Sequence, residues 1–402
     1  MKIAHGTAKF WQATLALCLG SFMVFANLYV TQPLLPSIAN TFHLSPAVAG
    51  ASFTIATLTL SISLLIYGPL SDAMGRRKLM IGSLLGIAII TLALSFTSDY
   101  HMLLVLRAFQ GFFLAGLPAI AVAYMSDEFD TDALMIAVGI YISGNSLGGI
   151  AGRLFGGILG ESVGLSNTFA TLAAFSLLMV ALFAWLLPKS ENFSAQPLHP
   201  RAMLKQLGNH LRNPNLSLAY LIGGLSFFIF VNQYSYITFV LEKAPYSLSP
   251  KLLGLLFLTY LTGTYGSAIS GKLARRWGQP ECMMLGTAIL AFGSAITLLG
   301  NIWAILLGLL INSFGFFLTH STASSWVSRN AQSAKASASS LYLTFYYLGA
   351  SLGGFYLAPF WHWAGWAGVV IGSWFVLFII YIAGTLLNRL YPLNSSVTPV
   401  NK

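Results

Sequence analysis

"GNSLGG" at residues 144–149 returns as "GASLGG" at 349–354, 205 residues later. Small residues at this spacing let helices approach closely, so the pair reads as two equivalent helix seams. Other stretches keep nearly the same offset. "FANLY" (25–29) returns as "FVNQY" (230–234) at 205, and "GFFL" (111–114) returns letter for letter at 315–318, at 204. "GPLSDAMG" (68–75) has a worn counterpart in "GKLARRWG" (271–278) at 203. Four matches in one order divide the chain into two copies of one plan, and parallel repeats are a known transporter architecture.

The composition says what surrounds the copies. Of 402 residues, 56% are hydrophobic and 7% charged, where a soluble domain carries roughly a quarter charged residues. Lipid is the solvent that suits such a chain, and about 20 consecutive apolar residues span its core. Spans are predicted at 10–35, 46–70, 78–97, 102–125, 133–160 and 166–187, then at 214–241, 250–273, 281–299, 303–326, 335–361 and 365–388. The expected fold is an all-α membrane protein with twelve transmembrane helices, α1–α12, in two pseudo-symmetric six-helix bundles. The expected domains are a first bundle (1–187), a linker (188–213), a second bundle (214–388) and a tail (389–402). The first run is too long for a signal peptide, carries Asn27 and Gln32, and lacks a small-x-small cleavage site, so it is read as a span. In the linker, Met203, Leu204, Leu207 and Leu211 share one helical face. A surface amphipathic helix and a disordered linker are both open there.

The net charge of +10 is directional rather than a nucleic-acid footprint. Sixteen Lys and Arg fall on one side of the predicted spans, only Lys243 and Lys251 on the other, and Arg107 and Arg153 within helices. That asymmetry places both termini in the cytoplasm, and the expected location is a bacterial inner membrane. Cys18 and Cys282 lie in different halves, so no disulfide framework is implied. The seven histidines form no Cys/His pair at ligand spacing, so no metal is expected. "GSAISGKL" (266–273) fails as a phosphate-binding loop because Leu273 stands where a hydroxyl must be.

Three segments carry the remaining chemistry. In "GPLSDAMGRRK" (68–78), Gly68 and Gly75 permit close packing or a tight turn, and Asp72 ends an uncharged helix before Arg76, Arg77 and Lys78. In "LLVLRAFQG" (103–111), Arg107 lies about 9 Å along its helix. An Arg at that depth costs on the order of 3 kcal/mol and normally meets a partner or a wet cavity. "GIYISGNSLGGIAGRLFGG" (139–157) joins a run of glycines to Arg153.

Together these resemble the loop signature, intramembrane Arg motif and antiporter motif of the major facilitator superfamily. They are most similar to the YnfM-type group of its twelve-helix drug/proton antiporters. Two departures stand out: Ala73 replaces the basic residue usual after the Asp, and Asn145 replaces the proline of the antiporter motif. The resemblance implies alternating access about a site between α1, α4, α5, α7, α8, α10 and α11. It also implies that Asp72 and its loop help hold the two halves in one state, and that α1 and α7 face a central cavity. Asn27, Tyr29, Gln32, Asn145, Asn232, Gln233, Tyr234 and Tyr236 are then substrate-lining candidates, with hydrogen bonding between helices the open alternative.

Every Asp and Glu lies at a helix end or in a loop, leaving Arg107 and Arg153 as the charges within the spans. This favours an anionic or neutral polar substrate over a cationic one. Coupling candidates are Asp72 at the inner end, Glu161 at the outer end, and His320, a residue type that titrates near pH 6.5. In "SDEFDTD" (126–132), Asp127 or Glu128 is expected to pair with Arg76 or Arg77 when the inner gate closes, unless the run is a solvated loop. The expected function is a monomeric, proton-coupled exporter of small organic molecules, with no cofactor beyond the proton gradient and with the lipid bilayer and protons as its other partners. The alternative is a proton-coupled importer or facilitator of a sugar or carboxylate.

Overall fold

The computed structural model describes residues 2–193, 200–331 and 335–391. Part of the predicted linker (194–199), the side chain of Met203 and the tail beyond Tyr391 lie outside the described residues. Among the described residues, ten helices are long and apolar enough to cross a membrane, and two of them, Asp132–Leu186 and Ser337–Leu390, run to 55 and 54 residues. A straight helix of that length would measure about 80 Å against a hydrocarbon core of about 30 Å. Each is broken where helical geometry fails, at Gly164 (φ 78°) and at Ala364–Gly365 (Gly365 φ 56°). Read as two spans each, they bring the total to twelve.

In the structure α1 is Ala8–Tyr29, α2 Pro46–Met74, α3 Arg76–Leu94 and α4 Tyr100–Glu128. Thr131–Leu186 holds α5 and α6, Pro214–Glu242 is α7 and Pro250–Trp277 is α8. Gln279–Leu299 is α9, Ile302–Asn330 is α10, and Lys335–Leu390 holds α11 and α12. A further helix, Pro200–Arg212, occupies the end of the predicted linker.

The first span corrects its predicted end at 35. It stops at Tyr29 because Pro33 has no N–H for the Tyr29 carbonyl. Gln32 N donates to that carbonyl instead, at 3.1 Å. The chain turns and restarts as a short helix, Leu35–Phe42. The carbonyls of Asn27 and Leu28 are thereby left for other donors.

Two compact units emerge. One comprises Met1–His199 with Ile237–Phe257, the other Pro200–Tyr236 with Leu258–Lys402. Residues 237–257, placed by sequence in the second half, are the end of α7 and the first turns of α8. They join the first unit because α8 begins against α5, where a Cβ on Gly157 would stand 2.9 Å from Gly254 Cα.

Within the first unit, Gly144, Gly148, Gly152 and Gly156 of α5 lie against the carbonyls of Cys18, Phe22, Ala26 and Val30, one contact per helical turn. In the second unit, Gly349 and Gly353 lie against the carbonyls of Gly224 and Phe228. The glycines repeat at 205 but the carbonyls at 206. The α1/α7 register is therefore one residue off the FANLY/FVNQY match, and Asn27 corresponds to Gln233 rather than Asn232. The GFFL match is out of register too: Gly111 packs on Ala56 and Thr59 of α2, whereas Gly315 packs on Gly286 and Leu290 of α9.

The loop match at 203 holds in backbone geometry, since Gly75 has φ 100° and Gly278 φ 97°. A Cβ at Gly75 would touch nothing closer than 4.0 Å, so backbone strain alone opposes a side chain there. Gly75→Ala should cost about 1–3 kcal/mol, read as a lower melting temperature of the purified protein. An unchanged melting temperature would refute the assigned loop geometry.

Candidate functional site

Arg107 is fully buried in the first unit. Its Nε donates to Ser52 O at 3.0 Å, Nη1 to Asn27 O at 3.2 Å and to Gln110 Oε1, and Nη2 to Leu28 O at 3.1 Å and Thr31 Oγ1 at 3.4 Å. A guanidinium has five N–H donors, and all five are engaged. The early end of α1 explains the arrangement, because a helix C-terminus carries partial negative charge and unsatisfied carbonyls. Arg107 caps it with a cation. Gln110, three residues on along the same helix face, is the signal from which the sequence could have given this pairing.

Asn27 sits beside that cap in a closed polar knot. Its Nδ2 donates to Met23 O and to Ser176 Oγ, both at 2.9 Å, and its Oδ1 accepts from Thr91 Oγ1 at 2.7 Å. Gln110 Nε2 completes the knot on Thr91 Oγ1 at 2.8 Å. The second unit builds the equivalent on α7, α9 and α10. Gln233 Oε1 accepts from Ser294 Oγ at 2.9 Å and from Asn312 Nδ2 at 2.8 Å. Among the described residues no arginine joins it, and Gln233 Nε2 and Asn312 Oδ1 are buried without a hydrogen-bond partner. Asn232 lies outside this knot, donating to Phe228 O and Ala350 O at 2.9 Å each.

Arg153, 2% exposed, has a different setting. Its Nε donates to Gln32 Oε1 at 2.7 Å and its Nη1 to Gly149 O at 2.9 Å. The guanidinium carbon lies 3.8 Å from the Tyr29 ring centroid and 4.7 Å from that of Phe257. The quadrupoles of two aromatic rings and the oxygen of an amide stabilise the cation. Tyr29, Gln32 and Arg153 thus form one cluster, as sequence proximity suggested for the first two. Phe257 had no signal, because nothing in the sequence places the start of α8 on α5. Beyond Arg153 on α5, Glu161 Oε2 accepts from Lys251 N at 3.0 Å, satisfying an orphan donor of the first turn of α8. Asn145 is half-buried, bonded to Ser21 Oγ of α1.

In the second unit, Tyr234 is buried with its hydroxyl on Thr259 (2.7 Å), Ser313 (2.8 Å) and Leu309 O (3.1 Å). Tyr236 donates to Gly354 O at 2.9 Å. His320 Nδ1 lies 2.9 Å from the Tyr342 hydroxyl. It joins an aromatic ladder in which Phe230 stacks on Phe316 at 3.9 Å and Phe227 on Tyr346 at 3.8 Å. His320 itself packs against Tyr346 at 4.6 Å and is half-buried.

At the end of the first unit that carries the arginine loop, Arg76 Nη1 pairs with Asp72 at 2.9 Å and Nε with Asp127. Arg77 donates to Leu187 O at 3.0 Å and Ala184 O at 2.7 Å, capping the end of α6. Glu128 is buried and accepts from Asn192 N at 3.0 Å and Nδ2 at 2.9 Å rather than from an arginine. A Cβ at Gly68 would meet nothing within 4 Å. Because the Asp127 carboxylate is 28% exposed, Asp127→Asn should change stability by less than about 1 kcal/mol. A melting-point loss equal to that of Gly75→Ala would contradict this.

Twelve spans in two units, each with a buried polar knot and one with an aromatic-clasped cation, are the architecture of a polytopic membrane protein. The model of the Major Facilitator Superfamily matches residues 17–354, and the chain belongs to that family of secondary transporters. It is 38% identical over 387 residues to the inner membrane transport protein YnfM of Escherichia coli, covering 96% of this chain and 93% of that one. It is 36% identical over 387 residues to the uncharacterised MFS-type transporter YybF of Bacillus subtilis, covering 96% and 95%. Among solved structures it resembles the nucleoside transporter NupG, with TM-score 0.78, 14% identity and coverage of 93% and 99%. It also resembles a bacterial homologue of the human lysosomal transporter Spinster, with TM-score 0.74, 15% identity and coverage of 96% of each chain.

Proposed function

We propose that the chain is a proton-coupled exporter of small anionic or neutral polar molecules, working by alternating access in the inner membrane with both termini cytoplasmic. The observation that carries this reading is the charge inventory. All ten Asp and Glu lie at helix ends or in loops, and away from helix ends the spans hold two arginines, Arg107 and Arg153. A cationic substrate would meet no carboxylate along the spans, whereas an anion would gain from a guanidinium in low dielectric.

We assign the substrate charge to Arg153, which Gln32, Tyr29 and Phe257 surround, and give Arg107 the role of capping α1. In the second unit the half-buried His320, beside Tyr342 and Tyr346, is the proposed proton carrier.

Everted proteoliposomes with an acidic lumen test direction and coupling together. Hydrophilic carboxylates should accumulate inside them, and a protonophore should abolish the uptake. Accumulation only in the opposite orientation would replace this reading with that of an importer, and uptake indifferent to the protonophore would remove proton coupling.

A further inference from the structure

The end of the first unit that carries the arginine loop and its counterpart in the second carry opposite charge at two corresponding positions. With the 203 offset fixed by Gly75 and Gly278, Asp72 corresponds to Arg275 and Arg76 to Gln279. With the 202 offset that relates Gln110 to Asn312 in the two polar knots, Asp127 corresponds to Arg329. In the first unit one guanidinium bridges two carboxylates. In the second, two guanidiniums stand where those carboxylates were, and the bridging position holds an uncharged amide that cannot neutralise them. Neither Arg275 nor Arg329 enters an ion pair among the described residues, and both are exposed.

The space between is open. A cavity of about 400 Å³ is lined by Arg275, Gln279, Glu281, Trp326, Arg329 and Tyr391, among others. Glu281 Oε2 is buried there without a hydrogen-bond partner. Two planar forks suit the oxygens of a phosphate, and an unpartnered carboxylate suits a primary ammonium. Trp and Tyr are the side chains that favour the membrane–water interface.

We propose that this cavity binds a phosphate group bearing a nearby primary ammonium, with the phosphate at Arg275 and Arg329 and the ammonium at Glu281. Two sources present that chemistry: the headgroup of an aminophospholipid and a soluble phosphoamine. The site is separate from the proposed substrate cluster around Arg153, which lies in the other unit.

Native mass spectrometry of the detergent-purified full chain tests the assignment. Phosphatidylethanolamine, phosphatidylglycerol and phosphatidylcholine would be titrated separately, with O-phosphoethanolamine as competitor. Phosphatidylethanolamine should bind at least tenfold more tightly than phosphatidylcholine. The double variant R275Q/R329Q should lose at least tenfold in its binding. Glu281→Gln should remove the preference over phosphatidylglycerol while leaving phosphatidylglycerol binding in place, a readout that does not depend on the double variant folding. Displacement by millimolar O-phosphoethanolamine would identify the soluble source, and lipid retention against it the bilayer source. Equal phosphatidylethanolamine binding by wild type and R275Q/R329Q, or an unchanged lipid preference in Glu281→Gln, would overturn the proposal.

Discussion

Arg107→Ala should lower the stability of the first unit by about 3 kcal/mol or more, seen as loss of the monodisperse peak after mild heating. The estimate follows from what the side chain does. It serves the carbonyls of Asn27, Leu28 and Ser52, and leaving a buried acceptor unsatisfied costs about 1–3 kcal/mol each. Removing the cation also relieves its burial cost, so the net loss is smaller than the sum. Arg107→Lys should rescue only part, since an ammonium has three donors where five are engaged. If Arg107→Ala melts with the wild type, the side chain is not a helix cap, and the role of anion receptor would return to it.

The second large effect belongs to the glycine seam. Gly152→Val would drive a side chain into the carbonyl of Ala26, and both atoms belong to helix backbones that cannot step aside singly. Overpacking of this kind costs about 1–3 kcal/mol per site, so Gly148→Val combined with Gly152→Val should prevent folding of the first unit. Gly139→Val is the control, because on the same helix a Cβ at Gly139 would meet nothing within 4 Å. Expression and melting temperature of the three variants separate packing from helix propensity. Equal losses at Gly139 and Gly152 would sink the seam.

Much of this architecture was legible in the sequence. Apolar runs of membrane length mark the spans because lipid tolerates little else, but the end of α1 was placed six residues late, past Pro33. The repeat was legible in outline but not in register. Letter identity in short apolar strings is cheap, so FANLY and GFFL matched one and two residues out of step. The contacts of Gly144 and Gly148, and of Gly349 and Gly353, set the true pairing. The polar residues of α1 and α7 were visible, but their neighbours were not. Thr91, Ser176, Ser294 and Asn312 are commonplace hydroxyls and amides until the folded helices bring them together. Phe257 is the extreme case, since its partner Arg153 is distant in sequence.

The central claim is that Arg153 reads the charge of the substrate. A thermal-shift panel of organic acids, neutral sugars and cationic dyes on the purified protein tests it, with each hit repeated on Arg153→Gln and compared with that variant's own ligand-free melting point. A ligand at a hundredfold its Kd stabilises by about 2.7 kcal/mol, well within detection. Acids that raise the melting temperature of the wild type but not of Arg153→Gln are the predicted result. Cationic dyes that stabilise both proteins equally, with acids inert, would contradict it.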